Sequence, residues 1–384
     1  MVRAIAFRKY SLIYVQILPA YRHPDRTAGS FHLVSTRYYF QEKCEHQLME
    51  QVNIKKLAQL LNLSIATVSK ALRDSYDISQ ETKEKVMSLA KELNYQPNPH
   101  ASFLRKHNSK TIAVIIPEIA NNYFTLAING IESVAHDKGY HVIIYLSHED
   151  FAREVSFTRH LHSGRADGVL ISVASTTSDY THLHELQNKG LPIVFFDRVC
   201  ENFNTVKVTT DDYQSGYLAA KHLIDQGCKR IAHLAISQSL SIGNKRAKGY
   251  WQALQDHNLP LDEKLLIECV NDNVQDAALI KALLQEQQPD GIFAAVERFA
   301  ISCYELCEEL RLNIPNDVKI ISFSNLQTAS LLSPSLSTIT QPAFDIGREA
   351  AAMLLKKLEK KNFQLPDENI VIQSKLIARK STSR

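Results

Sequence analysis

Cysteine occurs in this chain without any arrangement that would put it to use. Cys44, Cys200, Cys228, Cys269, Cys303 and Cys307 form no CxxC pair and no Cys/His cluster at zinc spacing, so no metal site is expected. Cys303 and Cys307 fall on one face of a predicted helix, where core packing is the expected role, and a reducing cytoplasm suits such thiols. Long apolar runs are missing too. None approaches the roughly 18 residues needed to cross a bilayer, which excludes a membrane-spanning helix. The chain also lacks the sequence marks of catalysis: there is no phosphate-binding GxGxxG or GxxxxGK[ST], no GxSxG elbow and no HExxH. Glu308-Glu309 and the scattered histidines read as solvated helix faces or isolated polar sites, and no enzyme or cofactor is expected.

Excess charge of one sign is scarce as well. The 384 residues carry 44 Lys and Arg against 41 Asp and Glu, a net charge of +3. Residues 1–48 hold seven basic and three acidic residues, leaving 37 against 38 in the remainder. A large electrostatic footprint for nucleic acid is therefore excluded. Any specific DNA binding is expected to rest on a homodimer that places two small modules. Residues 1–48 also hold eight of the 31 aromatic residues, follow neither helical nor strand periodicity, and lack the apolar core and cleavage site of a signal peptide. They read as a disordered extension or the product of a misassigned upstream start, with Met49 as the start-like residue.

What is present begins at Asn53. Leu57, Ala58 and Leu61 recur at helical spacing, and Asn62-Leu63-Ser64 then supplies a left-handed turn residue, a buried plug and an N-cap. On the second helix Val68, Ala71 and Leu72 form the inward stripe, while Ile65, Ala66, Ser69 and Lys70 are expected on the outward face. Two short helices so joined are a helix-turn-helix, whose second helix reads bases in the major groove. Ser79 caps a third helix with Glu81 near its positive end, Val86, Leu89, Ala90 and Leu93 as its buried face and Asn94 as its stop. Asn98-Pro99 then opens a helix of about two turns, too short to persist without a partner surface or DNA.

Ser64-x-Ala66-Thr67-Val68-Ser69-Lys70-Ala71-Leu72, then Tyr95-x-Pro97-Asn98, then Phe103-Leu104 and a basic pair, resembles the LacI/GalR family of bacterial repressors. The resemblance implies that Ile65, Ala66 and Lys70 read operator bases. It also implies that Leu104 wedges into the minor groove and that Ser64, Thr67, Ser69 and Asn98 complete the DNA-binding set. The chain departs from the common pattern in having Lys70 where arginine is frequent and Asn62-Leu63 where glycine-valine is frequent. Lysine lacks the planar fork that reads guanine with two bonds.

From Thr111 onward the pattern becomes strand, helix, strand. Short apolar runs at 112–116, 141–145, 168–171, 193–196, 230–234, 291–295 and 319–323 predict buried parallel strands with amphipathic helices between them. The expected architecture is α/β, two doubly wound lobes with ligands at the carboxyl ends of the strands. The family resemblance adds the type I periplasmic-binding-protein fold, with the last strands crossing back to complete both lobes. It also implies an effector set at strand ends and the loops after them: Tyr123 and Phe124, Asp197 and Arg198, Arg246 at the opening of a helix, Ser324 and Asn325, and Gln341. Asp and Arg suit sugar hydroxyls because each makes two directed hydrogen bonds. Relatives usually have Asn-Asp at Val296-Glu297 and acids at Ser324-Asn325, so the usual hexose set is altered.

The expected organisation is a 1–48 extension, a 49–96 helix-turn-helix domain, a 97–109 hinge helix and linker, and a 110–384 effector-binding and dimerisation domain. Together these imply a cytoplasmic transcriptional repressor, a homodimer on a pseudo-palindromic operator, controlled by a small-molecule effector of carbohydrate type. The alternative is a solute-binding protein of the same two-lobed fold without a DNA role.

Overall fold

The computed structural model describes residues 53–95, 109–161, 163–270, 272–360 and 362–383. The 1–48 extension, Met49, Asn98 and Leu104 lie outside the described residues. The chain divides into two compact units on either side of the Asn98–Pro99 junction.

The first unit contains α1 (Ile54–Leu60), α2 (Ile65–Ala71) and α3 (Gln80–Glu92) around a core of Leu57, Ala58, Val68, Ala71, Val86 and Ala90. Each helix is started by a side chain that accepts a backbone N–H: Asn53 from Lys56 at 3.1 Å, Ser64 from Thr67 at 3.0 Å and Ser79 from Thr82 at 3.4 Å. The turn between α1 and α2 reverses because Asn62 takes a φ of 54°, which asparagine tolerates, and Leu63 donates its N–H to the Ala58 carbonyl at 2.9 Å. Asn94 ends the third helix in the same conformation, at a φ of 49°.

The second unit is built on two sheets. In lobe one the order is β11-β5-β4-β3-β1-β2, all parallel, from β1 (Thr111–Ile116), β2 (His141–Leu146), β3 (Gly168–Ile171), β4 (Ile193–Phe196), β5 (Val206–Thr210) and β11 (Glu368–Ile372). Period-two alternation puts helices on both faces. Ile112, Val114 and Ile116 face α4 (Asn122–Asp137) and α11 (Ala343–Glu359), while Ala113 and Ile115 face the cluster under α5 (Phe151–Leu161) and α6 (Thr181–Asn188).

Lobe two has the order β12-β10-β9-β8-β6-β7, from β6 (Ile231–Ala235), β7 (Leu266–Glu268), β8 (Gly291–Ala294), β9 (Lys319–Phe323), β10 (Ser337–Thr340) and β12 (Lys375–Ile377). Its helices are α7 (Asp212–Asp225), α8 (Ser241–Asp256), α9 (Asn273–Ala282) and α10 (Glu297–Leu310). Strand β12 runs antiparallel to β10, the one departure among these sheets from the expected parallel order. The chain passes between lobes after β5, after β10 and after β11. Thr210 knots two of these crossings, donating to the Ile372 carbonyl at 2.9 Å and lying 2.6 Å from Ser374 Oγ.

The expected buried strand at 141–145 is instead a partly exposed edge, because β2 ends the lobe-one sheet. Strands β5, β7, β10, β11 and β12 were not among the apolar runs. Strand β5 is wholly buried yet contains Lys207, Thr209 and Thr210, and Lys207 reaches Asp367 at 2.8 Å.

His233 on β6 is fully buried, with Nδ1 3.0 Å from the Phe293 carbonyl and its ring stacked on Phe293 at 4.3 Å. Burial, against that hydrogen bond, pushes its pKa from 6.5 down to about 4. The unfolded chain then binds a proton where the folded one does not, so stability is lost as pH falls from about 6.5 to about 4. The loss is on the order of 3 kcal/mol. His233→Phe should remove this part of the acid sensitivity, read as a smaller gap between urea unfolding midpoints at pH 7 and pH 4.5. An unchanged gap would place the acid sensitivity elsewhere.

Candidate functional site

On the DNA-reading side, Ser64, Ile65, Ala66 and Lys70 are exposed on α2 and Thr67 is half-buried, its hydroxyl 2.8 Å from that of Ser64. Ser69 corrects the expectation of an outward face. It is buried, and Arg73 folds back over it, donating Nε to the Ser69 carbonyl at 2.9 Å and a terminal N–H to its hydroxyl at 3.3 Å. Lys70 is paired with Asp77, whose carboxyl the ammonium holds below its usual range. The Lys70 ammonium is therefore oriented from within the unit. Tyr76, fully exposed beside Asp77, went unremarked in the sequence because a lone aromatic in a loop carries no periodic signal.

In the two-lobed unit, Arg246 is almost wholly buried where two helices of lobe two cross. It does not open its helix as expected: α8 starts at Ser241, so Arg246 sits in the second turn and points at α7. Helices α7 and α8 cross in backbone contact. A Cβ on Gly249 would lie 2.1 Å from the Tyr213 carbonyl, and one on Gly216 would lie 2.5 Å from that of Arg246. That approach brings the guanidinium onto Asp212, with Nε and a terminal nitrogen each 2.8 Å from Oδ1. Its other arm donates to the Ala295 carbonyl at 2.8 Å, and its plane covers Phe323 at 3.8 Å. Burial raises the Asp212 pKa to about 6 against the pull of Arg246, with Asp197 adding to the rise.

Asp197 follows β4 at a φ of 62°, a left-handed conformation that aspartate adopts more readily than most residues. It accepts from Ser172 Oγ at 3.3 Å, and burial raises its pKa. The Tyr123 hydroxyl is buried beside Asp197 without a well-formed hydrogen bond. Burial, and then the charges of Asp197 and Asp212, push its pKa well up. Phe124 packs edge-on against Tyr123 and Phe196 inside lobe one, so it braces Tyr123 rather than offering a free face. Arg198 donates to both oxygens of Glu149 at 2.8 and 2.9 Å and leaves its Nε unpartnered. Glu149, also bonded to Ser175 N at 2.7 Å, keeps a lowered pKa despite its burial because of these partners.

From lobe two, Ser324 and Asn325 follow β9 and Gln341 follows β10, and the structure brings these three together. Asn325 Nδ2 donates to the Gln341 carbonyl at 2.7 Å. Asn325 Oδ1 and Gln341 Nε2 stay buried and unpartnered. Glu297 joins the group from α10: Oε2 accepts from Ser324 Oγ at 2.8 Å and Asn325 N at 3.2 Å, and Oε1 accepts from Asn122 Nδ2 of lobe one at 2.7 Å. Asn122, Glu149, Ser172 and Asp212 were missed, since each is an ordinary loop or cap residue until its partner arrives. Beside this cluster, a cavity of 280 Å³ is lined by Glu149, Ser175, Arg198, Ser237, Glu268 and Arg298 from both lobes.

A reading helix in one unit and a polar cleft between two doubly wound lobes in the other define a ligand-responsive DNA-binding regulator. Residues 53–98 match the model for bacterial regulatory proteins of the lacI family, and residues 109–380 match that for periplasmic binding proteins and the sugar binding domain of the LacI family. The chain is 29% identical over 331 residues to the ribose operon repressor of Halalkalibacterium halodurans, covering 86% of this chain and 96% of that one. It is 30% identical over 314 residues to catabolite control protein A of Priestia megaterium, covering 80% and 93%. A lac repressor dimer bound to operator and the anti-inducer ONPF shares the fold, with a TM-score of 0.76 at 21% identity over 87% of this chain and 100% of that one. This chain belongs to the LacI family of DNA-binding transcriptional regulators. The match over 53–98 sets aside a solute-binding protein without a DNA role, and the relatives named are regulators rather than enzymes.

Truncating Arg246 would strand a buried carboxylate, so Arg246→Ala should destabilise the two-lobed unit by about 3–5 kcal/mol. In Arg246→Ala/Asp212→Asn the loss should be smaller than the sum of the single losses, as denaturant melts of all four proteins would show. Additive losses would mean the pair is not a unit.

Proposed function

We propose that this regulator is a homodimeric repressor of the cytoplasm, that it binds a pseudo-palindromic operator, and that a carbohydrate effector closing its cleft alters operator affinity without a catalytic step. The observation that carries the reading is the set of buried polar atoms without partners: Tyr123 Oη and Arg198 Nε from lobe one, Asn325 Oδ1 and Gln341 Nε2 from lobe two. Each such atom costs about 1–3 kcal/mol when left unsatisfied, and a polyhydroxyl ligand supplies both donors and acceptors. A molecule touching both lobes binds one lobe arrangement better than others, which is the requirement for a population shift. No described helix is long and apolar enough to cross a membrane. The relatives' printed roles in ribose-operon repression and catabolite control agree with this reading.

In this proposal residues 49–96 read DNA, 97–109 form the hinge and linker, and 110–384 sense the effector and dimerise. Asn98 and Leu104 act in the hinge, with Leu104 as the minor-groove wedge. The test is to recover the fragments of its own genome that the protein retains and to repeat operator titrations with sugars implied by the neighbouring genes. Failure to retain discrete fragments, or operator affinity indifferent to every such sugar, would overturn the proposal.

Lys70 reads the operator in this scheme, oriented by Asp77. Lys70→Ala should cost about 1 to 3 kcal/mol on the operator and change non-specific binding little. Equal losses on operator and random DNA would make Lys70 a phosphate contact.

A further inference from the structure

The cations of the cleft are already taken. Arg198 is held by Glu149 at 2.8 Å, Arg246 by Asp212 at 2.8 Å and Arg298 by Asp276 at 3.2 Å. Among the described cleft residues, two further carboxylates have no cation of their own. Asp197 has Arg198 at 4.0 Å and feels the charge of Arg246, both already engaged by other carboxylates, and Glu297 is held by Asn122, Ser324 and the Asn325 N–H, all neutral donors. Glu268 adds a third acidic group at the rim of the adjoining cavity. The vacant hydrogen-bonding positions beside Glu297 are a neutral acceptor, Asn325 Oδ1, and a neutral donor, Gln341 Nε2, both on residues more than nine-tenths buried.

We infer that the cleft takes a polyhydroxylated effector carrying no phosphate or carboxylate, and that Glu297 is the specificity-determining residue that rejects anionic forms. The inference rests on the carbohydrate reading above. A hydroxyl can answer either group, donating to Asn325 Oδ1 or accepting from Gln341 Nε2. A phosphate there would meet the Glu297 charge among largely buried groups, and no unengaged guanidinium among the described cleft residues could answer it. Glu297 also spans the lobes, so its charge lies where any ligand that bridges them must pass.

The test is thermal stabilisation and calorimetry of the full chain with matched pairs: D-ribose and ribose 5-phosphate, D-glucose and glucose 6-phosphate, D-galactose and galacturonate. Inorganic phosphate is the probe that needs no knowledge of the effector. Wild type should bind a neutral member at least tenfold more tightly than its anionic partner and gain nothing saturable from inorganic phosphate. Glu297→Gln keeps the shape and removes the charge: its amide oxygen still accepts from Ser324 Oγ and Asn325 N, and its NH2 is met by Asn122 once that amide turns to present Oδ1. It should narrow that ratio at least tenfold, with its ligand-free melt reporting that it folds. An anionic member binding as well as its neutral partner overturns the inference, as does saturable stabilisation by inorganic phosphate. A ratio unchanged in Glu297→Gln overturns the role of Glu297. Silence from every neutral sugar overturns the carbohydrate reading itself, so the two readings fail on different results.

Discussion

The buried pair of Arg246 and Asp212 organises the sensing unit. Its guanidinium ties the start of α7 to the second turn of α8, holds the carbonyl that follows β8 and lies flat on Phe323 at the end of β9. Four elements of lobe two thus converge on one planar cation, and the residues just beyond Phe323, Ser324 and Asn325, are carried to the lobe interface. Such a pair is stable only when geometry and extra hydrogen bonds offset the loss of hydration. Here the offset depends on two glycines that let the helix backbones touch. A side chain at either position would separate the helices and leave two charges in a space with little water.

Around that pair the cleft follows one rule: cations are satisfied internally and neutral groups are left open. Each cleft arginine has its carboxylate, while the atoms left without a hydrogen bond include a phenol, an arginine Nε whose charge is already answered, and two amides. The Asn122 to Glu297 bond crosses between lobes without a ligand, as does the Lys245 to Glu201 ion pair at 2.7 Å. Three chain crossings join the same lobes, with Thr210 bonded to the Ile372 carbonyl and Ser374 where two of them run side by side. Lobe geometry is therefore set by a few polar contacts rather than by a large apolar seam, and contacts of that strength are within reach of a small ligand.

The DNA-reading unit shows the same economy on a smaller scale. Its three described helices are short, and their starts are fixed by Asn53, Ser64 and Ser79 rather than by length. Ser69 and Arg73 close one side of α2, and Asp77 holds Lys70, so the exposed face is narrower than a helical wheel suggests.

Local rules determined much of this protein. Caps, left-handed turn residues and helical spacing located α1 to α3, because each depends on neighbours within a few residues. Apolar runs located the central strands for the same reason, and the ends of those strands pointed to Asp197, Arg198, Ser324 and Asn325. Tertiary structure decided the rest. Strands β5 and β10 are buried with threonines, serines and a lysine that read as surface, since their partners lie far along the chain: Lys207 with Asp367, Thr210 with Ser374, Ser337 with Thr382. Ser69 faces inward because Arg73 covers it. Asn122, Glu149, Asp212 and Glu297 become cleft residues only through contacts 34 to 175 positions away. Hydrophobic periodicity reports where a side chain is driven from water, but a buried polar group is held by its partner, and the partner is chosen by the fold.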